Sequence, residues 1–176
     1  MSNIQARQTI QKITEALLNL MEKEPFEDIT VTDITRQAGV ARLTFYRHFE
    51  NKEQVLLTHL DAIFESYLSE ILKMDDMNLR DGLCRCFEYW KRDKRLPGFL
   101  ARPGTVPLIQ QSFGRYLQRV LDTNIHPRKF SYFQKKFIEG GLLLTMTDWL
   151  ANPRGLTPED MADMIIDLIN SSGGAI

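Results

Sequence analysis

An all-α fold of about nine helices is what this sequence predicts, and three observations predict it. Apolar residues recur at three- and four-residue spacing in successive windows from Ile10 to Ile169. Strand-like alternation of useful length is missing. Helix starts and stops, such as Pro25, Gly39, Pro97-Gly98, Pro103-Gly104 and Thr157-Pro158, fall between those windows.

Taken in order, residues 1–6 are polar, and the spacing predicts a first helix over 8–23 with Ile10, Ile13, Leu17, Leu20 and Met21 on one stripe. Pro25 stops it, and Phe26 and Ile29 lead inward to the next element. There Thr32 stands as the expected N-cap, Asp33 supplies a first-turn charge, and Ile34 and Ala38 share an apolar face. Gly39 breaks this helix, because glycine enters a left-handed conformation without steric cost. A second short helix over about 41–48 completes a helix-turn-helix. Its Phe45 and Phe49 are one turn apart and point inward, while Arg42, Thr44, Tyr46, Arg47 and His48 cover the rest with donors and cations. That face suits DNA, since guanidinium groups fork onto guanine edges or phosphates; a solvated amphipathic helix is the other reading.

Asn51 is the expected cap of a long helix over 51–73, whose broad stripe (Val55, Leu56, Leu60, Ile63, Phe64, Tyr67, Leu68, Ile71, Leu72) is wide enough to serve two contacts. It links a head, residues 1–50, to a body, residues 51–176. After a polar break at 75–78, a helix over 79–93 turns Leu83, Cys84, Phe87 and Trp90 inward. The Pro- and Gly-rich stretch 96–107 is a connection, either a surface loop or a lid carrying Phe99 and Leu100. A helix over 107–123 turns Ile109, Phe113, Tyr116, Leu117, Val120 and Leu121 inward. The next, over 128–151, carries Gly140-Gly141 in its middle, at about 1 kcal/mol each relative to Ala, which close packing, a kink or room for a ligand would offset. The last opens at Thr157-Pro158-Glu159-Asp160, an N-cap, a proline and first-turn acids, and runs to Ser171-Ser172-Gly173-Gly174.

Composition sets outer limits. With 176 residues, 43% hydrophobic and 26% charged, the chain is long enough to bury a core in one or two domains. Cys84 and Cys86, two apart on a helix, face different sides and are too close there for an unstrained bridge; with no His or Cys partner at ligand spacing, no metal is expected. No charged leader opens the chain and no apolar window approaches about 18 residues, so a cytoplasmic, unanchored protein is expected. Nucleotide-binding glycine loops, zinc-protease and serine-hydrolase motifs are missing, and His48, His59 and His126 are scattered, so neither an enzyme nor a cofactor is expected. The formal net charge is −1, and residues 1–60 are nearly balanced. Positive charge is concentrated between 36 and 52, where Arg36, Arg42, Arg47 and Lys52 face only Glu50. A local field is what neutralises phosphates.

The run Gly39-Val40-Ala41-Arg42-Leu43-Thr44-Phe45-Tyr46-Arg47-His48-Phe49-Glu50-Asn51-Lys52-Glu53 resembles the signature of TetR/AcrR-type transcriptional regulators, with its Thr-Phe-Tyr-x-His-Phe core and Asn-Lys-Glu continuation. The similarity covers roughly residues 7–60; beyond them it rests on helix layout. It implies a three-helix head and a helical body for ligand binding and dimerisation. It also implies that Thr32 and Arg36 meet the DNA backbone or a base edge, that Arg42, Leu43, Thr44, Arg47 and His48 face the groove, and that Tyr46 and Lys52 meet phosphates.

A homodimer on double-stranded DNA with a pseudo-palindromic operator is the expectation, its half-sites about 34 to 36 Å apart. The expected interface uses Phe133, Gly140, Gly141, Leu144, Met161, Met164, Ile165 and Leu168 from the last two helices. A small-molecule effector would lie among Phe87, Trp90, Tyr116, Phe137 and Trp149, for which interior packing is the other reading. Release of a repressor by that effector is the expected regulation. The alternative is control by a protein partner, as in smaller TetR-like activators that the C-terminal half faintly resembles.

Overall fold

The computed structural model describes residues 3–71, 73, 78–92, 103–122 and 129–171. Among them are eight α-helices and one 3₁₀ turn and no strand. The helices are α1 (Asn3–Met21), α2 (Val31–Ala38), α3 (Arg42–Tyr46), α4 (Lys52–Ile71), α5 (Leu79–Arg92), α6 (Val106–Leu121), α7 (Tyr132–Ala151) and α8 (Pro158–Ser171), with the 3₁₀ turn Pro103–Thr105 leading into α6. The all-α expectation holds, close to the expected nine helices. Most of the break at 75–78 and of the connection at 96–107, including Phe99 and Leu100, lies outside the described residues.

In the head, α1 lays Ile13, Ala16, Leu17, Leu18 and Met21 against α2 and the start of α4. Phe26, Ile29, Ile34, Phe45, Phe49, Val55 and Leu56 close the same core, as their spacing predicts. The start of α2 corrects the sequence reading. Thr30, and not Thr32, is the N-cap: its hydroxyl accepts from the Asp33 amide at 3.2 Å, and its own amide donates to Asp33 Oδ2 at 3.2 Å. This reciprocal pair satisfies two of the donors that a helix start leaves open. Gly39 ends α2 at φ +64°, and its N–H donates to Arg36 O. That left-handed position turns the chain into α3.

α4 runs through one continuous core from head to body. Val55, Leu56 and Leu60 lie on the head side; Phe64, Tyr67 and Leu68 lie in the body. The Phe64 ring sits 5.1 Å from Trp90, 5.8 Å from Phe113 and 5.2 Å from Tyr116, so one aromatic cluster joins α4, α5 and α6. Asp61 and Glu65 on α4 pair with Arg115 and Arg119 on α6, and Arg80 on α5 with Asp163 on α8. All are half-exposed, so they contribute more to register than to stability.

α7 and α8 begin on capping boxes. Ser131 with Gln134 starts the first, an unforeseen pair, and Thr157 with Asp160 the second, as expected. The 3₁₀ turn before α6 touches the head directly: a β-carbon at Gly104 would collide with the Glu27 carboxylate in the α1–α2 loop. No helix among the described residues is long and apolar enough to cross a membrane.

Candidate DNA-binding surface

α3 is only five residues long, too short to be stable alone, and is held by what it buries. Phe45 and Phe49 are sunk in the head core with ring centroids 5.9 Å apart. With them inward, Arg42, Leu43, Tyr46 and Arg47 stand out on the opposite side. Arg42 Nη2 donates to Tyr46 Oη at 3.3 Å, and its guanidinium carbon lies 5.6 Å from the Tyr46 ring centroid. The pair keeps both groups ordered without removing either from solvent.

On α2, Thr32 and Arg36 are exposed beside this helix. Arg36 Nη2 donates to Asp33 Oδ1 at 2.7 Å. The hydrogen bonds from Thr30, and then the Arg36 charge, hold the Asp33 carboxyl below its ordinary value. Asp33 thus caps α2 and steadies Arg36 together.

Three of the expected contact residues are less freely displayed than these. Thr44 is half-buried. His48 is half-buried too, with Nε2 enclosed and without a hydrogen-bond partner among the described residues. Lys52 departs furthest. Its ammonium donates to the carbonyls of Phe26, Glu27 and Ile29 at 2.6, 2.8 and 2.8 Å and lies 4.8 Å from the Phe26 ring centroid. An ammonium has three protons, so these bonds use all of them. Lys52 is therefore a clamp between the start of α4 and the α1–α2 loop rather than a free phosphate ligand. Asn51 beside it caps α4 as expected, accepting from the Gln54 amide at 2.8 Å, and Gln54 Oε1 in turn accepts from the Glu50 amide at 2.6 Å.

In the body, Phe87 and Tyr116 line a cavity of about 40 Å³ together with Tyr67, Cys86, Phe113 and Leu142. Trp90 and Trp149 are buried outside its wall, Trp149 edge-on to Phe87 at 5.3 Å. Phe137 corrects the sequence reading, for it is 78% exposed and on the outside of α7. Among the described residues no charged side chain lines the cavity. Burial pushes the Cys86 thiol up to about 12 and raises the Tyr67 and Tyr116 phenols as well, so each stays neutral.

The two cysteines do face different sides. Cys84 Sγ and the carboxylates of Glu88 and Glu159 lie within 4.8 Å of one another, a grouping across α5 and α8 that sequence spacing could not show. Burial, and then those two carboxylates, raise the Cys84 thiol.

Of the expected interface residues, Phe133, Gly141, Leu144, Met164 and Leu168 are exposed. Added β-carbons at Gly140 and Gly141 would meet nothing within 4 Å, so nothing among the described residues approaches either glycine closely. Met161 and Ile165 are corrected: both are buried in the protomer's own core, on the face of α8 that packs on α5. The stripe of α8 is wide enough to serve both sides, and its spacing alone could not divide them.

The family model described as bacterial regulatory proteins, tetR family, matches residues 13–58. The chain is 26% identical over 180 residues to the uncharacterised HTH-type transcriptional regulator YxbF of Bacillus subtilis, an alignment covering 95% of this chain and 45% of that protein. It is 51% identical over 45 residues to the HTH-type transcriptional regulator EthR of Mycobacterium tuberculosis, covering 26% of this chain and 21% of that one. The chain thus spans less than half of the length of these curated relatives. A TetR transcriptional regulator from Streptococcus agalactiae has a similar structure, with a TM-score of 0.68 at 20% identity over 95% of this chain and 96% of that one. The head thus carries the match to the tetR family of bacterial regulatory proteins, over residues 13–58, and the chain as a whole shares the all-helical fold of a solved TetR regulator.

Proposed function

We propose that the chain works as a homodimeric repressor that binds a pseudo-palindromic operator through α3 and leaves it when a small molecule enters the body. The observation that carries the reading is the division of α3 and the turn after it: Phe45 and Phe49 are buried, and Arg42, Leu43, Tyr46 and Arg47 are displayed together. The head, residues 1–50, then reads DNA, and residues 51–176 regulate and dimerise. Acting on DNA, the protein works in the cytoplasm.

The apolar outer face of α7 and α8 supports the dimer. A helix start carrying Phe133 at 81% and Phe137 at 78% exposure, one turn apart, is unusual for a free surface and ordinary for a covered one. Two heads so joined would meet half-sites about one turn of DNA apart.

The effector is the part that needs movement. A cavity of about 40 Å³ is far below the roughly 300 to 1,000 Å³ of drug-sized sites. Its occupant must therefore widen the body, and one wall residue, Tyr67, belongs to α4. Widening would displace the helix on which the head stands. Carrying the protein from a 1:99 to a 99:1 distribution takes about 5.5 kcal/mol of differential affinity.

Selection of duplexes from a random pool by the full chain at low salt tests the DNA reading. Enrichment of a two-fold symmetric site is expected, and failure to enrich any sequence would overturn it. Thermal shifts with neutral apolar compounds test the effector; stabilisation by a protein partner alone would favour the partner-controlled alternative. Transcription from the selected site, measured with and without the gene, decides between repression and activation.

A further inference from the structure

We infer that Leu43 reads a thymine in each operator half-site through the 5-methyl group of the base, an inference that rests on the DNA binding proposed above. The head hides its large apolar side chains with care: Ile34, Phe45 and Phe49 are all within the core. Leu43 is the aliphatic exception on α3, 65% exposed, next to Arg42 and one turn before Arg47, while the other exposed large side chain, Tyr46, carries a hydroxyl. Its backbone is fixed, since its carbonyl accepts from the Arg47 amide at 3.2 Å. Nor does its neighbour shield it, because the Arg42 guanidinium is folded along the helix onto Tyr46, one turn on.

The isobutyl group therefore projects from a face otherwise made of guanidinium and phenol groups. Whatever this face binds must offer it something apolar if the exposure is to be relieved on binding. Phosphates and most base edges in the major groove offer hydrogen-bonding atoms only. The 5-methyl of thymine is the apolar group there, and aliphatic side chains contact it. Arg42 and Arg47 supply attraction to guanine edges or phosphates, which a methyl contact cannot. Leu43 adds discrimination between thymine and the three other bases without adding charge.

The test is a cycle between protein and DNA, run on the duplex that the full chain selects from a random pool. Each thymine is replaced singly by deoxyuridine, which keeps the pairing edge and O4 and removes only the methyl. One thymine per half-site is expected to show a loss of about fourfold per methyl in the wild-type protein. With Leu43→Ala the same replacement should cost nothing, so that the two changes are not additive. Leu43 is outside the core, so the variant should melt with the wild type. Deoxyuridine neutral at every position, a half-site without thymine, or undiminished sensitivity in Leu43→Ala would each overturn the inference while leaving operator binding intact. If no sequence is enriched at all, it is the DNA reading itself that fails, and this inference with it.

Discussion

At the scale of single residues, sign and strength of charge mattered less than where each charge is held. Arg42 and Lys52 look equivalent in the sequence, two cations ten residues apart in a basic segment. One is displayed against a tyrosine, whereas the other is consumed by three carbonyls of a loop more than twenty residues earlier in the chain. No local pattern reports a bond between residues so distant, which is why Lys52 was legible as a cation and not as a clamp. Lys52→Met keeps the aliphatic stem on Phe26 and removes the three bonds. Hydrogen bonds to a charged group contribute about 1.5 to 3 kcal/mol, so a loss of about 2 kcal/mol is expected in chemical denaturation. If stability stays within 0.5 kcal/mol, roughly the range of an ordinary surface substitution, the clamp is not structural. Phe45 and Phe49, by contrast, were readable because one helical turn separates them and nothing else on α3 is apolar and inward.

Helices were the most legible level, and their ends and outer faces the least. Periodicity gave the interior stripes of α1, α4, α5 and α6, because each helix has one apolar side. It misplaced the start of α2 by two residues, since Thr30 and Thr32 are chemically alike and only geometry shows which hydroxyl reaches the Asp33 amide. Because the Asp33 carboxyl is held below its ordinary 3.8, its capping contribution is present above that value and is lost as pH falls below it, through the lower folded-state value. Asp33→Asn should therefore lower the melting temperature at pH 7 and make progressively less difference below about pH 4. A pH-independent gap between the two proteins would contradict this. On α7 the sequence reading set Phe133 and Leu144 at an interface and Phe137 in a pocket, and all three are exposed while Leu142 faces inward. Phe137→Glu, on the outer face, should convert the dimer to monomers in sedimentation at micromolar concentration with the helix content preserved. A dimer that survives this change would place the interface elsewhere.

For the molecule as a whole, the point of greatest consequence is a place with no side chain. Gly104 in the 3₁₀ turn lies against the Glu27 carboxylate, and the carbonyl of Glu27 is one of the three that hold Lys52. A single short loop is therefore leaned on from one side by the turn that leads into α6 and gripped from the other by the root of α4. Gly104→Ala would force the flexible Glu27 side chain aside at small cost to folding, leaving every groove-facing residue untouched. Operator affinity is expected to change several-fold while the melting temperature barely moves; identical binding curves would mean that the loop carries nothing. On the proposed reading such a seat would work like the heel of a latch: filling the interior need not pull on the DNA-reading end at all, only withdraw the support that keeps it aimed.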